Sequence, residues 1–138
     1  MRRFFLVVGL LVVASIAGFI TYSLKVQKEA TLNLLASHAV TSVILEYVYT
    51  HEAWPQSLAD LDGIEYSSQF DWPSESEQCL KRVKVKFGVS LEEVAASTPA
   101  QFSFIVPNEP IYRNSFESQI GRIILSSKSI VDHKSKTE

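Results

Sequence analysis

The first pattern along the chain is an uncharged apolar stretch that runs from Phe4 to Leu24. As a helix, its 21 residues would extend over about 31 Å, close to the thickness of the hydrocarbon core of a bilayer. A single spanning segment must be a helix, because lipid offers no partner for free backbone groups. The pattern predicts a transmembrane signal anchor over residues 1–24. Its apolar residues include Phe4, Phe5, Leu6, Leu11, Ile16, Phe19, Ile20 and Leu24.

Two other interpretations of residues 1–24 remain open. Arg2 and Arg3 before an apolar run, with a small-x-small site at residues 15–17, are also typical of a cleaved signal peptide. A buried helix of a globular domain is the third interpretation. We favour retention, because the uncharged run ends only at Lys25. The terminal amine, and the ability of long domains to cross regardless of charge, favour a cytoplasmic N-terminus and a domain that is periplasmic or extracellular.

After Lys25 the pattern becomes amphipathic. No proline or glycine occurs between Thr21 and Trp54, so the span is predicted to continue as one helix. At 100° per residue, one face of this helix is apolar. That face carries Leu32, Leu35, Ala36, Ala39 and Val43, with Tyr47 at its edge. The helix is predicted to end before Trp54-Pro55, because the residue before a proline disfavours the helical conformation.

Strict alternation of apolar and basic residues predicts a strand over residues 81–87. Val83 and Val85 belong to one face, and Arg82, Lys84 and Lys86 to the other. This basic face is either a solvated strand surface, which we favour, or a patch for anionic lipid or an acidic partner.

Shorter patterns complete the predicted domain. Strands are predicted at residues 64–66, 102–106 and 120–125, and Ser90 is predicted to cap a short helix. The predicted fold class is α+β: an N-terminal transmembrane helix continues into a long helix packed on a small antiparallel β-sheet. The predicted outer domain covers residues 25–131, and residues 132–138 are predicted to be a flexible tail.

Composition limits the chemistry. A formal net charge of −2 gives no general field for nucleic acid, and the single cysteine, Cys79, excludes an intramolecular disulfide. We expect Cys79 to be a partly buried thiol. His38 and His51 are about 20 Å apart on the predicted helix, too far to share a metal. The sequence has no phosphate-loop, nucleophile-elbow or paired-cysteine motif, so we expect no enzyme activity, no metal and no cofactor.

The end of the long helix carries a family resemblance. Leu45-Glu46-Tyr47-Val48-Tyr49, followed by His51-Glu52-Ala53-Trp54-Pro55-Gln56-Ser57-Leu58-Ala59-Asp60-Leu61, resembles the helix end and loop of type IV pilin-like and pseudopilin-like proteins. The resemblance implies a long N-terminal helix, half in the membrane and half packed on an antiparallel sheet. The prepilin leader motif is lacking, since Ser23 stands where the family has glutamate.

The loop that carries the resemblance also has a physical interpretation. Trp54 is predicted to plug the core, Pro55 to stop the helix, and Ser57 to cap a short turn. Leu58 and Leu61 are predicted to face inward.

The predicted function is a single-pass, non-catalytic membrane protein whose pilin-like outer domain binds or positions an envelope component. Its predicted partners are the lipid bilayer and an envelope or secretion-system protein, with no nucleic acid and no metal. One alternative is a pseudopilin-like subunit of a secretion or pilus assembly. Another is a secreted binding domain released by cleavage near Ala17.

Overall fold

The structure, a computed structural model, describes residues 2–64, 76–108 and 113–137. It is of the α+β class, as the sequence predicts. Its elements in chain order are helix α1 (Arg2–His51), a short 3-10 helix (Leu58–Leu61), α2 (Ser76–Arg82), β1 (Val83–Val85), α3 (Leu91–Ala96), β2 (Ile105–Pro107) and α4 (Arg113–Thr137). The chain divides into two compact units, Met1–Leu32 and Asn33–Glu138, and α1 contributes to both.

The first unit is helical throughout its described residues. Nine of its large apolar side chains, between Leu11 and Val26, are exposed, from Val26 at 49% to Phe19 at 72%. The side chains of Phe4, Phe5 and Leu6, which the predicted anchor includes, lie outside the described residues. Within the part of the chain that is described, no helix combines the length and the apolar character needed to cross a membrane.

The core of the second unit forms on the remainder of α1. Ala36, Ala39 and Val43 of the predicted face are buried and Leu35 is half-buried, as is Leu32 at the end of the first unit. Burial extends further round the helix than the apolar face and includes Asn33, Ser37 and Thr41. Asn33 accepts from Arg82 of α2, and Thr41 bonds Gln119 of α4.

The sheet has two strands in the described part of the chain. β1 pairs with β2 in antiparallel register, with Val83 opposite Pro107 and Val85 opposite Ile105. The strand predicted over residues 81–87 is therefore much shorter, because α2 continues to Arg82. The strand predicted over residues 102–106 begins only at Ile105.

The faces of the predicted strand 102–106 and one other predicted strand need correction. The sequence pattern places Phe102, Phe104 and Val106 on one face and Ser103 and Ile105 on the other. In the structure Phe104 and Ile105 are buried and Val106 is exposed. The predicted strand 64–66 has no counterpart at Ile64, and its other residues lie outside the described part of the chain.

The predicted final strand, residues 120–125, lies inside helix α4. The same apolar run fits a helical period, because its buried residues recur every three or four positions. Ile123 and Ile124 follow Ile120 by three and four residues, and Ser127 follows them by four and three. Leu125, which interrupts this spacing, is exposed. A short apolar run by itself does not distinguish a strand from a helix. Here the packing of these residues on the core favours the helix.

Helix α4 also replaces the predicted flexible tail, because it continues to Thr137. It runs parallel to α1, as three hydrogen-bonded pairs show. From the N-terminal to the C-terminal end of both helices, Thr41 pairs with Gln119, Tyr49 with Ser126, and Glu52 with Lys134. The last pair holds the end of α4 against the end of α1.

Candidate functional site

Trp54 lies at the junction of α1 and the sheet. It is only 1% exposed, and its indole Nε1–H donates a 2.8 Å hydrogen bond to the carbonyl oxygen of Lys86. The ring meets Phe104 and Phe102 edge to face, with centroid distances of 6.0 and 6.5 Å. Aromatic pairs favour this geometry, so Trp54 has the contacts of a core residue rather than of a ligand platform.

The loop after Trp54 is held by short backbone contacts. Pro55 is buried, and its carbonyl oxygen accepts from the N–H of Gly88, which adopts the left-handed φ of 68° that favours glycine. Ser57 occupies the N-cap position, as predicted. The carboxylate of Asp60 accepts from the backbone N–H of Gln56 and of Ser57, at 2.6 and 2.9 Å.

The two leucines of this loop have different surroundings. Leu61 is buried as predicted, but Leu58 is 37% exposed. Residues three apart share a face of a 3-10 helix but lie about 6 Å apart along its axis. Only the Leu61 end of the turn reaches the core, so the prediction that Leu58 faces inward is wrong.

The predicted basic patch is divided among three environments. Arg82 ends α2, and its guanidinium donates a 2.6 Å hydrogen bond to the side-chain oxygen of Asn33 on α1. Lys86 is 3.8 Å from a carboxylate oxygen of Glu93 and 5.6 Å above the ring of Phe104. Lys84 is exposed on β1. Two of the three cations thus bind groups of this chain.

The helix pair α1–α4 encloses a polar junction. The amide of Gln119 lies between Thr41 and His38, and it hydrogen-bonds both. Thr41 Oγ1 donates to Gln119 Oε1 and also lies 2.7 Å from the carbonyl oxygen of Ser37. Gln119 Nε2–H donates to His38 Nδ1, so in this arrangement the neutral imidazole of His38 carries its hydrogen on Nε2.

A small open depression adjoins this junction. It is lined by Thr41, Ser42, Leu45, Gln119 and Arg122. The volume of this depression is about 20 Å³, which suits one or two water molecules. Small-molecule sites enclose several hundred Å³, so this depression does not hold a substrate of ordinary size.

The other titratable residues lie apart from this depression. Tyr47 and His51 stack at the end of α1, with ring centroids 4.2 Å apart. Burial, and to a smaller extent the Asp60 carboxylate, raise the pKa of Tyr47 above its ordinary value. The thiol of Cys79 is fully buried rather than partly buried as predicted. Within the described residues, no three His, Cys, Asp or Glu side chains form a group that could hold a metal ion.

Sequence reasoning missed the residues of α4 that contact α1. Gln119 and Arg122 lie in or beside the run that alternation assigned to a strand, and a strand would not have placed them on one side of a helix. A helical reading would place residues 119, 122 and 126 within about 60° of each other, next to the apolar face. Comparison of the chain with protein-family models, with curated proteins and with solved structures finds no match.

Proposed function

We propose that this chain is a single-pass, non-catalytic membrane protein. In this proposal the apolar part of α1 anchors the chain in a bilayer, and the unit Asn33–Glu138 binds or positions a component of the cell envelope. The N-terminus is cytoplasmic and the second unit is periplasmic or extracellular, as favoured by the sequence.

One observation carries the proposal. Nine large apolar side chains between Leu11 and Val26 are each about half or more exposed, and they occupy most of the circumference of the helix. Water is a poor solvent for a helix that is apolar around most of its surface. Apolar patches of this extent mark a surface that contacts lipid or another protein. The uncharged run of the sequence, Phe4 to Leu24, supports lipid.

The same exposed helix supports the alternative of a pseudopilin-like subunit, which would pack this surface against other copies. The resemblance around Trp54 favours that class, and the missing leader motif counts against its usual processing.

Extraction of the full chain from membranes tests the anchor. We expect the wild-type chain to resist alkaline carbonate and to be released by detergent, because an integral helix leaves the bilayer only when lipid is dispersed. In the double variant Val12→Lys/Ile16→Lys, each charge near the centre of the span costs about 2.5–3.5 kcal/mol of insertion free energy. Most of this variant should appear in the carbonate supernatant.

Val106→Lys is the matched control, because it places the same charge on an exposed apolar residue of the second unit. Its extraction should equal that of the wild type. Release of the wild-type chain by carbonate alone would contradict the membrane anchor. A ladder of cross-linked oligomers that spans many copies would favour the pseudopilin alternative.

A further inference from the structure

The parallel pair α1–α4 presents one outward surface with both charge signs on it, here named the α1–α4 face. It consists of Glu46 and Tyr49 on α1, and Arg122 and Leu125 on α4. Each of these residues is exposed, Tyr49 at 57% and Leu125 at 68%. On each helix the two named residues are three apart, so they lie about 60° from one another around the axis.

The hydrogen bonds between the helices fix the relative height of these residues. Gln119 bonds both His38 and Thr41, and Tyr49 bonds Ser126, so each pair lies within about one helical turn in height. By interpolation, Glu46 lies close to the height of residues 122–124 of α4. The acid on one helix and the base on the other therefore stand at nearly the same height, on opposite halves of the same face.

Neither Glu46 nor Arg122 forms an ion pair or side-chain hydrogen bond in the structure of the described residues. Three exposed lysines of the second unit pair with carboxylates, namely Lys81 with Glu77, Lys86 with Glu93, and Lys134 with Glu52. Lys84 and Lys128 are also exposed, and like Arg122 they form no ion pair with another described residue. Arg122 also lines the small depression beside Ser42 and Leu45. A planar guanidinium beside a hydroxyl is suited to receive a carboxylate.

We propose that the α1–α4 face joins two copies of this chain in a two-fold dimer. A two-fold axis along the helices places α1 of one copy opposite α4 of the other. Glu46 of each copy then meets Arg122 of its partner, so that two ion pairs form by symmetry. Tyr49 and Leu125 cover each other across the same interface.

We infer a second copy of this chain as the partner, because the charges of the α1–α4 face are complementary to those of the same face on another copy. The acid lies on one half and the base on the other at a similar height, which is what this two-fold arrangement requires. The same axis keeps the Asn33 ends of the two copies at one end of the dimer. The contact is smaller than the roughly 1,600 Å² of a standard interface, so the dimer is weak and depends on concentration.

Charge reversal in the full chain tests this interface. Glu46→Arg and Arg122→Glu should each raise the dimer dissociation constant roughly tenfold, because each places like charges opposite one another twice. The double variant Glu46→Arg/Arg122→Glu should return the constant to within about threefold of the wild-type value. Sedimentation equilibrium in density-matched detergent measures the dissociation constant. Added salt should weaken the wild-type dimer, because it screens the two ion pairs.

Lys84→Glu is the control, because it makes the same change of net charge as Arg122→Glu on the exposed strand β1. It should leave the dissociation constant unchanged. Circular dichroism of each variant confirms that the fold is retained. A wild-type chain that stays monomeric up to millimolar concentration would overturn the proposal. A dissociation constant that is unchanged by both charge reversals would also overturn it; contact through the apolar end of α1 alone would give that result. A double variant that dimerises as weakly as the single variants would contradict the proposal too.

Discussion

At the scale of single residues, Trp54 joins three parts of the second unit. It follows the end of α1, it donates to the backbone next to β1, and it contacts the two phenylalanines before β2. A large side chain with this many partners leaves a cavity when it is truncated. The unfolding free energy should therefore depend strongly on it.

We expect Trp54→Ala to lower the free energy of unfolding by about 3–5 kcal/mol, the usual cost of removing a buried aromatic ring. Chemical denaturation followed by circular dichroism measures this. Leu58→Ala, in the same loop but partly exposed, should cost less than about 1 kcal/mol. Equal stabilities of the wild type and the Trp54 variant would remove this residue from the core.

Tyr47 makes stability depend on alkaline pH. Its pKa is raised by burial and by Asp60, so the native state holds the phenolic proton more tightly than the unfolded state does. The resulting stabilisation is complete below the ordinary tyrosine pKa of about 10 and is lost as pH rises through the raised pKa.

The wild type should therefore lose more stability than Tyr47→Phe between about pH 9 and about pH 11, because phenylalanine has no proton to release. Thermal melts at both pH values measure the difference. Tyr22→Phe, a change at an exposed ring of the first unit, is the control and should behave as the wild type does. Identical pH dependence of all three chains would contradict the account.

At the scale of elements, the parallel contact of α1 and α4 sets where both helices end. Glu52 follows α1 with a left-handed φ of 50°, and its carbonyl oxygen accepts from Lys134 at 3.0 Å. The Lys134 ammonium is also 3.5 Å from the Glu52 carboxylate. A cation at the C-terminal end of a helix interacts favourably with its unpaired carbonyl groups.

Lys134→Ala should therefore loosen the last turns of α4. Both side chains are about half exposed, so solvent screens the pair and the global cost should stay below about 1 kcal/mol. Hydrogen exchange should show the main effect, as faster exchange of the amides after Ile130. Lys136→Ala, two residues nearer the end, is the control. Unchanged exchange in the Lys134 variant would mean that the contact does not hold the helix.

At the scale of the whole molecule, two of the three basic residues on and beside β1 contact groups of this chain, and Lys84 is exposed. Arg82 binds Asn33, and Lys86 lies between Glu93 and Phe104. A membrane-facing patch of three free cations would contribute about 1 kcal/mol per charge near anionic lipid.

We therefore expect Arg82→Gln/Lys84→Gln/Lys86→Gln to change vesicle binding of the Asn33–Glu138 unit by less than about threefold, against roughly a hundredfold for a patch of three lipid-bound charges. Co-sedimentation with anionic vesicles measures it, with neutral vesicles as control. Salt-sensitive binding that disappears in the triple variant would show that the basic residues do face a membrane or an acidic partner.

The sequence by itself determined those features that depend on neighbours along the chain. The absence of glycine and proline between Thr21 and Trp54 predicts that the long helix α1 continues past the apolar run. The Trp-Pro step predicts its end, and Ser57 and Ser90 predict the starts of two short helices. These features are local, because helix continuation, helix termination and N-capping each involve residues within one or two turns. The α+β class and the buried face of α1 follow from the same patterns.

Tertiary structure alone decided the state of the run 120–125 and the partners of isolated polar residues. An apolar run of six residues fits a strand and a helix equally, and packing against α3, together with hydrogen bonds to α1, selected the helix. Gln119 contacts Thr41, 78 residues earlier in the sequence, only because this segment is a helix that packs beside α1. Contacts over such distances depend on how elements pack, which no local pattern encodes. The α1–α4 face, with Glu46 and Arg122 at one height, exists for the same reason.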